Sequence, residues 1–257
     1  MDIRDRITVV TGAAGGIGRA LALALHAAGA RAVICADRDE AGATETAAMI
    51  GGIARKLDVS REEEIAALID WTETEIGPID LFCSNAGIIL RGGEEVPNDK
   101  WQDIWEINVM AHVWAARHMV PRMVARGGGY FLNTASAAGL LSQVGSAPYA
   151  VTKHAAVAFA EWIALTYGDD GIKVSVLCPQ AVRTDMIKGN EGGVASVNGL
   201  LEPEQVAQDC LHAIEAETFL VLPHKEVLDY MRRKTADYDR WIGGMRKLNR
   251  QFNPRQP

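Results

Sequence analysis

Tyr149 and Lys153 stand four residues apart in a run that reads as helical from Tyr149 to Tyr167, so their side chains share one face and their tips can meet at one site. A phenol with a reference pKa of about 10 is a poor base at neutral pH, and a neighbouring ammonium would favour its phenolate. Ser136 lies 13 residues upstream, just after an apolar β-type run, where its hydroxyl can bond the same substrate oxygen. The trio has the makings of a proton-transfer site, although a tyrosine and a lysine at this spacing also occur by chance.

A second cluster sits near the N-terminus, where Thr11-Gly12-Ala13-Ala14-Gly15-Gly16-Ile17-Gly18 separates an apolar run from an Ala- and Leu-rich helical segment. Glycines there let backbone approach a pyrophosphate and leave N–H groups at a helix start pointing at the anion, so Gly12, Gly15, Gly16, Ile17 and Gly18 are candidate cofactor contacts. The spacing is G-x-x-x-G-x-G rather than G-x-G-x-x-G, and the bland alternative is a tight turn. Asp37 ends the next apolar run 19 positions after Gly18, near the offset of roughly 20 at which an acid binds the ribose 2′-hydroxyl of NAD. A 2′-phosphate would meet a like charge there, which favours NAD. Arg38 keeps the other option open, because its guanidinium would accept a 2′-phosphate if Asp37 turned away; its bland role is adenine stacking or a solvated charge.

Positioning these groups takes a framework, and the sequence shows one. Apolar β-type runs recur at Ile7–Val10, Ala32–Ala36, Ile53–Val59, Ile79–Cys83, Tyr130–Thr134, Val174–Cys178 and Phe219–Leu222, with helical patterns between them. Nearly continuous apolar strands alternating with helices predict a doubly wound α/β fold: a Rossmann-like parallel sheet of about seven strands with helices on both faces. The whole chain, 1–257, is expected to form one domain. The first helix should span Ile17–Ala28 and stop at Gly29, and Ser60 should cap a helix opening with Glu62, Glu63 and Glu64. A third helical pattern from Asp99 to Arg126 should be kinked or ended early by Pro121. The glycine-rich stretch 185–201 reads as a flexible substrate lid.

Composition narrows the partners. The chain has 257 residues, 26 Lys or Arg against 33 Asp or Glu, and a formal charge of −7. Neither nucleic acid nor an anionic membrane surface finds a net basic footprint here. No apolar stretch approaches the roughly 18 to 20 residues of a membrane span, and the charged N-terminus does not read as a signal peptide, so a soluble cytoplasmic protein is expected. Cys35, Cys83, Cys178 and Cys210 form no CxxC pair and read as small buried hydrophobes. The six histidines include no HExxH, so no metal is expected, and Ser136 lacks a G-x-S-x-G elbow.

Taken in order and spacing, Gly12-x-x-x-Gly16-x-Gly18, Asn85-Ala86-Gly87, Asn108, Ser136 and Tyr149-x-x-x-Lys153 resemble the short-chain dehydrogenase/reductase family over about residues 5 to 223. The resemblance implies that Tyr149 is the acid/base, that Lys153 lowers its pKa and holds the nicotinamide ribose, that Ser136 orients the carbonyl or hydroxyl, and that Asn108 holds a water in a proton relay. It also implies that Asp58-Val59 meets the adenine, that Asn85, Ala86 and Gly87 and Pro179 border the cofactor, and that Val182 and Thr184 meet the nicotinamide amide. Two positions depart from the family pattern: Ser84 stands where Asn is frequent, and Gln180 follows Pro179 where Gly is frequent, adding bulk and an amide beside the nicotinamide.

The reaction expected is reversible hydride transfer between NAD and a secondary alcohol or ketone. Leu140, Leu141, Val144, Met186, Ile187 and Val194 suggest an apolar pocket for a hydrophobic alcohol, with ordinary loop packing as the equal alternative. From another functional class, a non-catalytic NAD(H) sensor or scaffold would keep the glycine loop but has no need of the Tyr149, Lys153, Ser136 and Asn108 set. Beyond the family core, residues 224–257 carry nine Lys or Arg against four acids. Val227, Leu228, Met231, Tyr238, Trp241, Ile242, Met245 and Leu248 recur there at three- and four-residue steps, an apolar helical stripe with Gly243-Gly244 as its expected break. The stripe either packs on its own subunit or docks on a second one and helps wall the pocket. The resemblance implies a homo-oligomer, a tetramer or dimer, built partly from the helices after Asp99 and Tyr149.

Overall fold

The computed structural model describes residues 1–189 and 191–252. Asn190 within the expected lid, and 253–257 at the end of the expected helical extension, lie outside the described residues. In chain order the elements are β1 (Ile7–Thr11), α1 (Gly16–Ala27), β2 (Ala32–Asp37), α2 (Glu40–Ile50), β3 (Ile53–Lys56), α3 (Glu62–Glu75), β4 (Leu81–Ser84) and α4 (Asn98–Trp105). They continue with α5 (Ala111–Ala125), β5 (Gly129–Thr134), α6 (Ala147–Tyr167), β6 (Ile172–Leu177), α7 (Pro203–Glu215), β7 (Leu220–Val221), α8 (Glu226–Ala236) and α9 (Tyr238–Phe252).

All seven apolar runs become strands of one sheet in the order β3-β2-β1-β4-β5-β6-β7, and every pairing is parallel. The fold is therefore the doubly wound, Rossmann-like α/β class. Side-chain alternation along each strand feeds two cores. Val9, Phe82, Phe131 and Val176 pack toward α3, α5 and α6, whereas Val10, Cys83, Leu132 and Leu177 pack toward α1 and α7. Ser175 is one of the few polar residues on these buried faces, and it is satisfied by the Tyr130 hydroxyl at 2.7 Å and the Thr218 carbonyl at 2.6 Å. Between β1 and β4 the winding reverses, and the crevice outside the carboxyl ends of these two strands is where open α/β sheets bind ligands.

Four local expectations need comment. The first helix ends as read, with Gly29 at φ +91° just beyond it, a backbone state that side chains rarely adopt. Ser60, however, does not cap α3. Arg61 occupies the cap position, and the Ser60 hydroxyl donates instead to Asp58 Oδ1 at 2.7 Å. The first-turn acid Glu64 reaches back to accept the Asp58 N–H at 2.8 Å, so the helix start braces Asp58. Of the two effects expected of Pro121, a kink or an early end, it does not end α5 at its own position: it sits in the last turns, where only one ladder bond is lost before the helix stops at Ala125. The interruption falls upstream, in the wide five-residue turn Glu106–Met110 that carries Asn108, and turns of this kind frequently mark functional sites. Gly243-Gly244 likewise does not break the tail, since α9 runs through it; the break is at Asp237, whose Oδ1 caps α9 by accepting the Arg240 N–H at 2.9 Å.

Candidate active site

The glycine loop follows β1 and opens α1. Gly18 is the position with no freedom: a Cβ there would stand 1.9 Å from the Gly12 carbonyl oxygen, so any side chain would force the loop and helix apart. The loop is tied to the segment after β4 through Thr11, whose side-chain oxygen accepts the N–H groups of Asn85 and Ala86 at 2.9 and 3.1 Å. Asn85 adds a bond from its amide to the Thr11 carbonyl at 3.0 Å and accepts from the Thr134 hydroxyl at 3.1 Å. Thr11 and Thr134 are thus positioning residues that motif spacing did not single out.

At the end of β2, the Asp37 carboxylate accepts the Ala14 N–H at 3.0 Å and the Asp39 N–H at 2.9 Å. Asp37 is thus held from both sides, while Arg38 is exposed and makes no ion pair among the described residues. Asp37, Arg38, Asp58, Val59, Gly12, Gly15, Gly16, Ile17, Gly18, Asn85, Ala86, Gly87, Pro179, Val182 and Thr184 all line one cavity of about 760 Å³. The same cavity is lined by Ser136, Tyr149 and Lys153. A crowded glycine loop at a helix start suits the pyrophosphate of a dinucleotide.

Tyr149 and Lys153 project from the first turns of α6, and both are buried. Lys153 Nζ donates to the Thr134 carbonyl at 3.0 Å and lies 5.7 Å from the centre of the Tyr149 ring. Burial pulls the Lys153 ammonium down to about 8. Burial pushes the Tyr149 phenol up, and the Ser136 hydroxyl pulls it the other way. Ser136, in the turn after β5, accepts the Ala138 N–H at 3.1 Å and donates to the Pro179 carbonyl over 3.4 Å. A bond that long is easily exchanged for a substrate oxygen.

Asn108 does not line the cavity itself; it is fully buried behind it. Its Oδ1 accepts the Ile88 N–H and its Nδ2 donates to the Ile88 carbonyl, both at 2.9 Å, with a further donation to Thr152 Oγ1 at 3.2 Å. The side chain thereby staples the loop after β4 to α6. A Cβ on Gly87 would stand 3.2 Å from Asn108 Oδ1 and 3.3 Å from Lys153 Nζ, so all three converge on one spot.

Of the apolar candidates, Leu141, Met186, Ile187 and Val194 line the cavity; Leu140 and Val144 do not. Leu140 instead belongs to a cluster of Ala137, Leu141 and Val227 with Tyr230, Met231 and Trp241 packed against it. That cluster seats the C-terminal helices on their own subunit, and Trp241, Met245 and Leu248 of α9 wall the cavity. Gln180 also faces the cavity, with its backbone N–H donating to His224 Nδ1 at 3.2 Å and its side-chain oxygen buried without a partner. All four cysteines are buried free thiols. Among the described residues no helix is long and apolar enough to cross a membrane, and no three His, Cys, Asp or Glu side chains group as metal ligands.

With the geometry in place, comparison with known proteins gives the class. The short chain dehydrogenase family model matches residues 6–193, and the chain belongs to that family. It is 33% identical to 1-deoxy-11-beta-hydroxypentalenate dehydrogenase of Streptomyces exfoliatus, over 94% of this chain and 91% of that one. It is 28% identical to cyclohexanol dehydrogenase of Acinetobacter sp. (strain SE19), over 88% and 94%. Among solved structures, a short chain dehydrogenase/reductase from Burkholderia phymatum in complex with NAD superposes with a TM-score of 0.85 at 26% identity, covering 100% of this chain and 99% of that one. The protein is accordingly an oxidoreductase of the dehydrogenase type.

Proposed function

We propose that the protein catalyses reversible hydride transfer between NAD and a hydrophobic, alicyclic secondary alcohol or its ketone. The observation that carries the reading is the convergence of Ser136, Tyr149 and Lys153 on the same cavity as the glycine loop and the fixed carboxylate of Asp37. The glycine loop would hold the pyrophosphate, Asp37 the adenosine ribose diol, Asp58 and Val59 the adenine, and Val182 and Thr184 the nicotinamide amide. When bound, the nicotinamide supplies the hydride acceptor, or donor in reverse. Ser136 exchanges its long bond to the Pro179 carbonyl for the substrate oxygen and orients it. Tyr149 takes the hydroxyl proton in oxidation and returns it in reduction.

Burial raises the Tyr149 phenol, so its phenolate in the oxidising direction draws on the charge of Lys153 for stabilisation. Asn108 keeps the loop after β4 and α6 in register, and so would support a relay water from behind the cavity. Residues 185–201 act as the lid. Its far end is tied to the segment after β6 by the Arg183 N–H to the Leu201 carbonyl at 2.9 Å and the Leu201 N–H to the Ala181 carbonyl at 3.2 Å. The apolar wall of Leu141, Met186, Trp241 and Met245 favours an alicyclic body over a polyol. The relative that acts on cyclohexanol, as its name states, is consistent with that preference.

Trp105, Val151, Trp162 and Leu165 on α4 and α6 remain exposed, which supports a homo-oligomer through those helices. A cytoplasmic, reduced setting suits the four free thiols. The test is steady-state turnover of NAD and NADP with a panel of cyclic alcohols, linear alcohols and sugars. NAD-linked oxidation of cyclic secondary alcohols is expected. NADH binding without turnover of any of them would make the protein a sensor instead.

A further inference from the structure

One wall of the cavity is built by residues of α8 and α9, which the family match at 6–193 does not include. Trp241, Gly244, Met245 and Leu248 of α9 close it with apolar surface, and Tyr230 and Arg233 of α8 stand beside them. Of the charged residues that line the cavity, Asp37, Arg38 and Asp58 stand with the glycine loop and Lys153 with Tyr149. Asp185 follows Thr184, whose methyl group would stand 2.8 Å from a Cβ on Gly16 of the glycine loop. The two that remain are guanidiniums, Arg233 of α8 and Arg91 of the segment after β4. Neither forms an ion pair among the described residues. Asp229, one turn before Arg233, is engaged by Arg232 at 3.2 Å.

Arg233 is also more fixed than a free surface arginine. Lys234 Nζ pins the end of α8 to the Leu140 carbonyl at 2.7 Å. The Arg233 guanidinium lies 5.9 Å from the centre of the Tyr230 ring, and the Tyr230 hydroxyl is hydrogen-bonded to the Asn198 amide of the lid at 3.2 Å. An apolar chamber that ends in unpaired cations fits an apolar ligand that ends in an anion.

We propose that the substrate is a hydrophobic alcohol bearing a carboxylate remote from the reacting carbon, and that Arg233, assisted by Arg91, determines specificity by pairing with that carboxylate. This rests on the dehydrogenase reading of the same cavity. It adds a second recognition point: the carbinol is held at Ser136 and Tyr149, the acid at the C-terminal helices, and the ring system lies on Met245 and Trp241 between them. Both arginines are exposed in the free chain, and a charge-assisted guanidinium–carboxylate bond formed as the ligand covers them is worth about tenfold in affinity. The C-terminal helices therefore select the substrate while the family core performs the chemistry.

The experiment compares 4-(4-hydroxycyclohexyl)butanoate with its methyl ester, using the full chain saturated with NAD. The acid is expected to have the higher kcat/KM by about tenfold, with an advantage that shrinks as salt rises. In Arg233→Gln the ratio of acid to ester should fall toward one, whereas Arg246→Gln, an exposed charge of α9 away from the cavity, should leave the ratio as it is. Calorimetric titration with 4-cyclohexylbutanoate and 4-cyclohexylbutanamide measures the anion site without turnover. If no alcohol is oxidised, the dehydrogenase reading fails and the titration alone decides the anion site. Equal binding of acid and amide, an ester oxidised as well as the acid, or an Arg233→Gln ratio equal to that of the parent overturns the proposal.

Discussion

Replacing Asp37 by Asn tests the cofactor assignment at the one atom group that decides it. In the parent, both carboxylate oxygens are oriented by backbone N–H groups, from Ala14 and Asp39, leaving their remaining lone pairs for a ribose diol. The amide keeps one acceptor and loses the charge. Loss of charge-assisted bonds to the diol should lower kcat/KM for NAD by about 1.5 to 3 kcal/mol, or roughly 10- to 150-fold. For NADP, the repulsion between the carboxylate and a 2′-phosphate dianion disappears. At about 5 Å with water-like screening, that repulsion is on the order of 1 to 2 kcal/mol. The two effects act in opposite directions on the two cofactors, so the NAD to NADP ratio of kcat/KM should fall by roughly two to four powers of ten. Initial rates with each cofactor at one saturating alcohol give the ratio. Thermal melting of each protein without cofactor checks that the unpaired Ala14 N–H has not unfolded the loop. A parent enzyme that prefers NADP, or a ratio that moves less than threefold in the variant, would refute the reasoning and hand the pocket to Arg38.

Two further outcomes follow from the buried groups around the site. Tyr149→Phe removes only the phenolic oxygen, so NADH affinity and melting temperature should stay close to the parent while kcat falls by about 10²- to 10⁴-fold; near-parental kcat would end the acid/base assignment. His112, buried on α5 with neither ring nitrogen hydrogen-bonded, is held neutral, its pKa pulled down to about 3 by burial and then by the charge of Lys153. Its unfolded value is about 6.5, so the stability it protects is intact above that pH and drains away as pH falls toward 3, at about 1.4 kcal/mol per pH unit. His112→Leu should therefore be nearly neutral at pH 7.5, and between there and pH 5 it should lose about 2 kcal/mol less than the parent in urea unfolding. Parallel pH profiles for the two proteins would show that His112 is not the group responsible.

How far the sequence was legible depended on whether the deciding contacts were local. The seven strands were readable because each carries its own continuous apolar run, and Gly12, Gly16 and Gly18 were readable because loop geometry restricts the residue at each place. Asp37 was legible in type but not in consequence: its offset pointed to a ribose, while the bond from Ala14 that orients one carboxylate oxygen crosses from another segment of the chain, with only the bond from Asp39 being local. Ser60, Pro121 and Gly243-Gly244 misled for a related reason. Each is a residue type with a strong local preference, overridden by Asp58 accepting the serine hydroxyl, by the proline's place near the helix end, and by Asp237 capping α9.

The pocket was the hardest part to read, because its outer wall is assembled from distant stretches of chain. The apolar stripe of the tail was visible by periodicity, yet periodicity gives only the face, never what the face meets. Ala137, Leu141 and Val227 supply that answer by drawing α8 and α9 onto the turn after Ser136. The same packing sets Trp241 and Met245 in the cavity. It also leaves Leu228, Tyr238 and Ile242 exposed on the tail, so a single stripe is divided between lining the site and facing outward. A tail with that division can vary along its inner face and retune the substrate without disturbing Tyr149, Lys153 or the glycine loop, since none of those residues depends on α9 for its hydrogen bonds.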